Sequence, residues 1–300
     1  MHESVLLKES IDNLNLNESS IIVDCTLGYG GHSSEILKRI KKGYLYAFDQ
    51  DEEAIESANK RLSEISNNYE IIHTNFVNLK TEMEKRNIHP DGILFDLGVS
   101  SPQLDEAERG FSYHKDAKLD MRMNQEQKLS AYEVVNDYPY ERLKDILLKY
   151  GEEKYAGSIA KAIVNNRPIE TTLELAEIIK ESVPEKYRNK SHPARKTFQA
   201  IRIEVNDELN VFEKALTDAL EIIKPGGRVC VITFHSLEDR ICKQIFNKYT
   251  KIPPELKKLP MIPKEYEPKY KLIANISPTD TEINKNKRSR SSRLRVIERR

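Results

Sequence analysis

The sequence predicts an α/β protein in which an inserted all-helical domain interrupts a parallel, Rossmann-like sheet. Short apolar segments alternate with helical stretches from residue 21 to residue 95, and such strand–helix repetition produces parallel sheets. The alternation stops after Ser100 and resumes at Asp207, and 300 residues are enough for one sheet domain with a smaller second unit. We therefore assign residues 1–104 and 207–300 to the sheet domain and residues 105–206 to the helical insert.

The first part of the sheet domain contains four predicted strands separated by helices. The strands are short apolar runs at residues 21–23, 44–48, 69–72 and 93–95. The segments between them carry apolar residues at helical spacing, as Ile36, Leu37 and Ile40 do, and cover residues 33–41, 52–65 and 76–86. Because each of these segments lies between two strands, we predict that they are crossover helices.

The insert shows helical spacing of apolar residues and no strand signal up to about Asn206. The sheet domain then resumes with a predicted helix at 207–223, the turn Pro225-Gly226-Gly227 and a strand at 229–234. Residues 270–276 and 294–297 are predicted to be the closing strands. Five prolines before them predict an extended loop, namely Pro253, Pro254, Pro260, Pro263 and Pro268.

Composition excludes several classes of protein. Hydrophobic residues make up 38% of the chain and charged residues 32%, and no apolar run is long enough to span a membrane. The first residues do not resemble a signal peptide. The three cysteines, Cys25, Cys230 and Cys242, are far apart and include no C-x-x-C pair, so we expect no disulfide framework and no metal site. A cytoplasmic location without a membrane partner is expected.

The basic charge of the chain is concentrated at one end. The net charge is zero, but residues 285–300 contain eight lysines and arginines and one acid, Glu298. Such a run is typical of a solvated tail. It is equally typical of an arm that contacts phosphates, whose attraction for nucleic acid would depend on salt.

A glycine-rich turn follows the first strand and leads into a helix. In Asp24-Cys25-Thr26-Leu27-Gly28-Tyr29-Gly30-Gly31-His32-Ser33 the glycines let the backbone approach a ligand, and the helix start offers free N–H groups. Asp49, at the end of the second strand, is suited to accept ribose hydroxyls. The frame D-x-x-x-G-x-G resembles the first motif of class I methyltransferases, with Thr26 in place of the first glycine, and this indicates S-adenosyl-L-methionine as the cofactor. A nicotinamide cofactor remains an alternative.

Asp96 ends the fourth strand, at the edge where open parallel sheets bind ligands. A carboxylate there can orient an amine for methylation and stabilise the positive charge that develops on nitrogen. The alternative is a strand-end aspartate that caps a turn. Methylation of cytosine C5 would need a cysteine nucleophile, and no cysteine lies near this loop. Phe76, after the third strand, is suited either to contact adenine or to pack in the core.

Long blocks of the sequence extend this interpretation. From end to end, the chain resembles the bacterial small-subunit ribosomal RNA cytosine-N4 methyltransferases. The resemblance rests on residues 26–33, 96–105, 108–112, 119–123, 192–200 and 234–240, together with Arg202, Val205 and Asn206. It implies that the cofactor is lined by Gly30, Gly31, His32, Asp49, Phe76, Asp96 and Gln103. It also implies a substrate cytidine in the decoding region of the small ribosomal subunit. Ser4, where proline is expected, and Tyr29 depart from the pattern.

Further residues in these blocks are suited to contact RNA. Their arginines form either a basic wall for phosphates or salt bridges with neighbouring acids, and they are Arg109, Arg122, Arg195, Arg202 and Arg240. The neighbouring acids are Glu108, Asp120, Glu204 and Asp239. His192 and His235 are suited to relay a proton or to serve the structure. Phe111, Tyr113 and Phe198 are suited to stack on an unpaired base or to pack in a core.

Three other functions stay open at this point. A methyltransferase of another amine, such as adenine N6 or protein glutamine, usually carries an Asn/Asp-Pro-Pro-Tyr/Phe motif, which Asp96-Leu97-Gly98-Val99 does not match. An RNA-binding assembly factor would not need the acids Asp24, Asp49 and Asp96, which repel phosphate. A nicotinamide enzyme is the third. The sequence also leaves open whether the protein forms a homodimer.

Overall fold

A computed structural model describes residues 4–189, 192–252, 255 and 264–300. The chain divides into two compact units. The first contains Met1–Gly98 and Leu209–Arg300, and the second contains Val99–Glu208. The predicted bounds, between 104 and 105 and between 206 and 207, differ from these by a few residues.

The first unit is built on a seven-stranded sheet with the strand order β3-β2-β1-β4-β5-β7-β6. Its strands are β1 Ile21–Asp24, β2 Tyr44–Asp49, β3 Tyr69–His73, β4 Gly92–Asp96, β5 Arg228–Thr233, β6 Tyr270–Ile276 and β7 Arg293–Arg299. The first five strands are parallel, whereas β7 lies antiparallel between β5 and β6. The predicted Rossmann-like α/β fold is confirmed.

Helices occur in both units, and in chain order they are α1 Leu7–Asn13, α2 Gly31–Arg39, α3 Glu52–Ser63, α4 Leu79–Lys85, α5 Ser101–Asp105, α6 Ala131–Asp137, α7 Tyr140–Gly151, α8 Ala156–Asn165, α9 Thr172–Glu181, α10 Glu185–Arg188, α11 Ala194–Asn206, α12 Glu208–Ile222, α13 Ser236–Thr250 and α14 Asp280–Lys285. The predicted helix 76–86 is a 3-10 turn, Phe76–Asn78, followed by α4. The Asn75 side chain accepts a hydrogen bond from the Val77 N–H and starts that turn. No helix in the described part of the chain is both long and apolar enough to cross a membrane.

Successive residues of a strand point to opposite faces of the sheet, and each face has its own core. In β4, Phe95 packs in a buried cluster with Phe212, and the neighbouring Leu94 belongs to a second cluster that contains Leu45 and Ile232. All of β4 except Asp96 is buried. The strand that carries Asp96 is therefore fixed on both faces.

The second unit is helical and has a separate hydrophobic core. Apolar residues from α6, α7, α8, α9 and α11 form one buried cluster, including Val134, Leu147, Ile159, Ile179 and Phe198. Each of these helices buries one stripe of residues, as the 3.6-residue period requires.

The end of the chain is a strand, so the interpretation of residues 285–300 as a solvated tail is wrong for most of the run. Leu294, Val296 and Ile297 are fully buried in β7 and outweigh the charged residues between them. The predicted proline-rich loop lies largely outside the described residues, because Pro253, Pro254, Pro260 and Pro263 are not among them. Residues 264–266 form a 3-10 turn before β6.

Candidate functional site

Three aspartates end three adjacent strands of the first unit. Asp24 ends β1, Asp49 ends β2 and Asp96 ends β4, and β1 pairs with both of its neighbours in parallel. Their side chains therefore gather at the carboxyl edge of the sheet, which is where open α/β sheets bind ligands.

The loop after β1 depends on its glycines. Gly28 has φ +50° and Gly30 has φ +77°, and both values lie in the left-handed region that favours glycine. Gly30 precedes α2, which begins at Gly31 and has no side-chain cap. The first N–H groups of α2 are thus available to polar groups of a ligand.

Asp24 is buried and holds this loop in shape. Its carboxylate accepts hydrogen bonds from the Thr26 N–H at 3.0 Å and from the Ser33 hydroxyl at 2.7 Å. Burial raises the pKa of Asp24. The carboxylate therefore fixes both ends of the glycine turn.

Asp49 links the loop to the end of β2. Its carboxylate accepts hydrogen bonds from the backbone N–H groups of Gly28, Gln50 and Asp51 at 2.8–2.9 Å. Burial raises the pKa of Asp49 to about 6, against the lowering effect of these hydrogen bonds. Oδ1 accepts the bonds from Gln50 and Asp51, whereas Oδ2 accepts only the one from Gly28 and keeps a lone pair for a hydroxyl donor.

The carboxyl group of Asp96 has fewer hydrogen-bond partners among the described residues than those of Asp24 and Asp49. Its Oδ2 lies 3.4 Å from Nδ1 of His32, whereas its Oδ1 is buried and has no hydrogen-bond partner within the described ranges. Burial raises the pKa of Asp96 well above the ordinary value, and the negative charges of Asp24 and Glu238 add to this effect. The site therefore contains an oriented carboxyl oxygen that can receive a hydrogen-bond donor.

Thr26 explains how the end of β4 is held against the loop. Its hydroxyl accepts a hydrogen bond from the Asp96 N–H at 2.6 Å. A glycine in this position would have no such acceptor. The departure from the first methyltransferase motif thus gives Asp96 a fixed backbone position, which the sequence pattern did not reveal.

His32, in the first turn of α2, is a neutral side chain at neutral pH. Burial lowers its pKa to about 4, although a hydrogen bond with the Val5 backbone opposes this. The segment that contains Val5 also lies against the loop, since a β-carbon on Gly31 would meet the Ser4 side chain. The Leu6 N–H donates to Glu282 of α14 at 2.7 Å. Sequence reasoning missed Glu282, because no local pattern connects residues 276 positions apart.

The two remaining residues predicted to line the cofactor, Phe76 and Gln103, lie in different units. Phe76 follows β3, is partly buried and contacts Phe95 edge-on with ring centroids 5.7 Å apart. Gln103 lies in the second unit, where it is buried and forms a capping box with Ser100 at the start of α5. Contact of either residue with a cofactor stays a prediction.

His235 follows β5 and pairs with Glu238. The buried Glu238 carboxylate accepts hydrogen bonds from the N–H groups of Phe234 and His235, and its Oε1 lies 3.1 Å from Nε2 of the His235 ring. This arrangement fixes the start of α13. Neither ring nitrogen of His235 has a hydrogen-bond partner among the described residues, so both interpretations of His235 stay predictions.

Several of the predicted RNA-contacting arginines have partners within the second unit. Arg109 donates to the carbonyl groups of Arg122 and Met123, and Arg122 forms a two-pronged ion pair with Asp120. Arg202 pairs with Glu208. The salt-bridge interpretation therefore describes Arg122 and Arg202, and buried Arg109 has carbonyl partners. Arg195 and Arg240 are exposed.

The predicted stacking residues also divide into two groups. Phe111 and Phe198 are buried in the core of the second unit. Tyr113 is partly exposed and stacks on His192, with ring centroids 4.4 Å apart. Core packing therefore accounts for Phe111 and Phe198.

The cysteines are unsuited to nucleophilic catalysis. Cys25, Cys230 and Cys242 are all buried and free. Burial raises the pKa of each thiol, and that of Cys230 reaches about 12. At neutral pH none supplies a thiolate, which C5 methylation would require.

The strand order, the glycine loop after β1 and the acids at the strand ends define a class I methyltransferase fold. The model of the MraW methylase family matches residues 1–300, and the chain belongs to this family. It is 55% identical to the protein named ribosomal RNA small subunit methyltransferase H of Exiguobacterium sibiricum, over 99% of this chain and 97% of that protein.

Solved structures with lower similarity include two ribosomal RNA methylases. One, from Streptococcus thermophilus, is 13% identical with a TM-score of 0.44, over 98% of this chain and 93% of that chain. The other, described as a putative methylase from Clostridium thermocellum, is 11% identical with a TM-score of 0.44, over 100% of this chain and 98% of that chain.

Proposed function

We propose that this protein transfers a methyl group from S-adenosyl-L-methionine to the N4 amine of a cytidine in the decoding region of small-subunit ribosomal RNA. Membership of the MraW methylase family supports methyl transfer. The name of the 55% identical relative supports ribosomal RNA as the substrate. A cytoplasmic location belongs to the same proposal, since that is where ribosomal subunits are assembled.

The residues at the carboxyl edge of the sheet fit the proposed cofactor. The free N–H groups at the start of α2 and the carboxylate of Asp49 offer donors and acceptors for its amino acid and ribose groups. The acids Asp24, Asp49 and Asp96 suit a cation. When bound, S-adenosylmethionine supplies an electrophilic methyl group on a positively charged sulfur.

The observation that carries the choice of an amine is the uncommitted Oδ1 of Asp96. The nitrogen lone pair of cytosine N4 is delocalised into the ring, so the amine must be oriented before it can attack the methyl group in line. A hydrogen bond from the amine to Oδ1 of Asp96 would orient it and would stabilise the charge that develops on nitrogen.

The insert, residues 105–206, is proposed to recognise the RNA. Its exposed Arg195 and the partly exposed pair Tyr113 and His192 are suited to contact phosphate and an unstacked base. A contribution of Gln103 to the cofactor site belongs to this proposal as well.

The test is methyl transfer from labelled S-adenosylmethionine to undermethylated small subunits, followed by mass spectrometry of the nucleosides. We expect N4-methylcytidine in the product, and none with the Asp96→Ala variant. Methylated adenosine or labelled protein would show that another amine is the substrate. Cofactor binding without any labelled product would favour an assembly factor.

A further inference from the structure

Part of the basic run near the end of the chain lies at the same edge of the sheet as the three aspartates. Because β7 runs antiparallel to β5, its first residue, Arg293, lies opposite Thr233 at the carboxyl end of β5. The preceding 3-10 turn, Lys287–Ser291, leads directly into β7. The topology thus brings this part of the basic run to the edge that carries the candidate site, two strands from β4, whereas Arg299 lies towards the opposite edge.

The 3-10 turn is held in a fixed conformation. The side chain of Asn286 accepts a hydrogen bond from the Arg288 N–H at 3.1 Å. Ser289 is fully buried, and its hydroxyl donates to the Asn286 carbonyl at 2.8 Å. Lys287 and Arg290 project from this anchored turn and are exposed.

Four cations near this edge have no carboxylate partner. They are Lys287 and Arg290 of the turn, Arg293 of β7 and Lys243 of α13, and none of them forms an ion pair with any residue that the structure describes. The side chain of Arg293 donates to the neutral Asn275 at 3.0 Å. We call these four residues the basic edge.

The aspartate close to Arg293 and Lys243 is already neutralised. Asp239 in the first turn of α13 forms a two-pronged ion pair with Arg295 at 2.7 and 3.0 Å. Burial raises the pKa of Asp239, but Arg295, with the charges of Arg293 and Lys243, lowers it overall. Asp239 is therefore ionised and outnumbered by cations.

The combination of acids and cations at one edge has a simple chemical use. Asp24, Asp49 and Asp96 offer no attraction for a phosphate, so an RNA substrate needs positive charge beside them. We propose that the basic edge binds the phosphate backbone of the substrate RNA next to the nucleotide that is methylated. This inference rests on the proposed function, because it takes RNA as the substrate.

The test compares a variant of the basic edge with a control of equal charge. Lys287→Gln with Arg290→Gln removes two cations from the turn. Lys41→Gln with Lys42→Gln removes two exposed cations between α2 and β2, at the opposite edge of the sheet. A third variant, Lys287→Arg with Arg290→Lys, keeps both charges.

Binding to undermethylated small subunits is measured over a range of salt concentrations. If both residues contact phosphates, the slope of log affinity against log salt should become shallower by about 1.4 in the first variant, since each contact with a single strand contributes about 0.7. The control and the charge-conserving variant should keep the wild-type slope. All forms should bind S-adenosylhomocysteine with wild-type affinity, which shows that the fold and the cofactor site are intact.

If the wild type methylates the subunits but the Lys287→Gln, Arg290→Gln variant keeps the wild-type slope, the inference is overturned and the proposed function is not. Equal loss of slope in the Lys41→Gln, Lys42→Gln control would also overturn it, because the effect would then reflect net charge. If the wild type neither binds nor methylates the subunits, the proposed function fails together with the inference.

Discussion

Acidification should weaken cofactor binding through Asp49. Burial raises the pKa of this carboxylate to about 6, and the proposed ribose contact requires its ionised form. Below pH 6 the free protein carries a proton on Asp49, and this proton must be lost before the cofactor can bind. S-adenosylhomocysteine is the suitable ligand, because it lacks the positive charge of the methyl donor.

The size of the effect follows from the pKa. At pH 7 about nine-tenths of Asp49 is ionised, and at pH 5 about one-tenth, so the affinity should fall roughly tenfold, or about 1.4 kcal/mol. The direction follows from the raised pKa: affinity is lost as the pH falls through 6. An aspartate with an ordinary pKa near 3.8 would leave the affinity almost constant over this range.

Isothermal titration calorimetry at constant ionic strength, from pH 5 to pH 8, measures this dependence. Asp49→Asn is the matched control, since it keeps the size of the side chain and cannot ionise. We expect weaker binding by the variant at pH 7 and a much smaller change with pH. Wild type and variant with the same pH dependence would refute the assignment of the ribose contact to Asp49.

The remaining predictions concern the supports of the glycine loop. Glu282→Ala should leave the Leu6 N–H without its partner and destabilise the protein by about 1–2 kcal/mol, with faster hydrogen exchange in α1, whereas Glu282→Gln should retain most of the stability. Equal effects of the two variants would contradict this role. Ser33→Ala removes a donor to the buried Asp24 and should cost about 1.5–3 kcal/mol in urea unfolding, and a loss under 0.5 kcal/mol would contradict it.

Local sequence signals were sufficient where a residue ends a regular element. The apolar runs before Asp24, Asp49 and Asp96 fixed three strand ends, and parallel pairing places such ends at one edge. Residues 294–297 were likewise predicted to be a strand inside a basic run, and they form part of β7. In these cases the run of apolar residues alone was enough to predict where the strand lies.

Contacts between distant parts of the chain were not predictable in this way. The bond from the Asp96 N–H to Thr26 joins residues 70 positions apart, and that from Leu6 to Glu282 joins residues 276 apart. For Arg202 the sequence left open a phosphate contact or a salt bridge to a neighbouring acid such as Glu204, but residues two positions apart on a helix point in different directions. Instead, Asp207, in the left-handed conformation, ends α11 and the chain turns, so that Glu208 reaches Arg202.

The central claim is that the Asp96 carboxylate orients the amine for methyl transfer, and a single-turnover experiment tests it most directly. Methyl transfer to undermethylated small subunits is followed at saturating cofactor and excess enzyme, with wild type, Asp96→Asn and Asp96→Ala. The account predicts that the rate falls by about 10²–10³ in Asp96→Ala, as for loss of one oriented polar group in an active site, with a smaller loss in Asp96→Asn, which keeps an acceptor oxygen. A rate for Asp96→Ala within about threefold of the wild type, less than 1 kcal/mol of barrier, would contradict the claim.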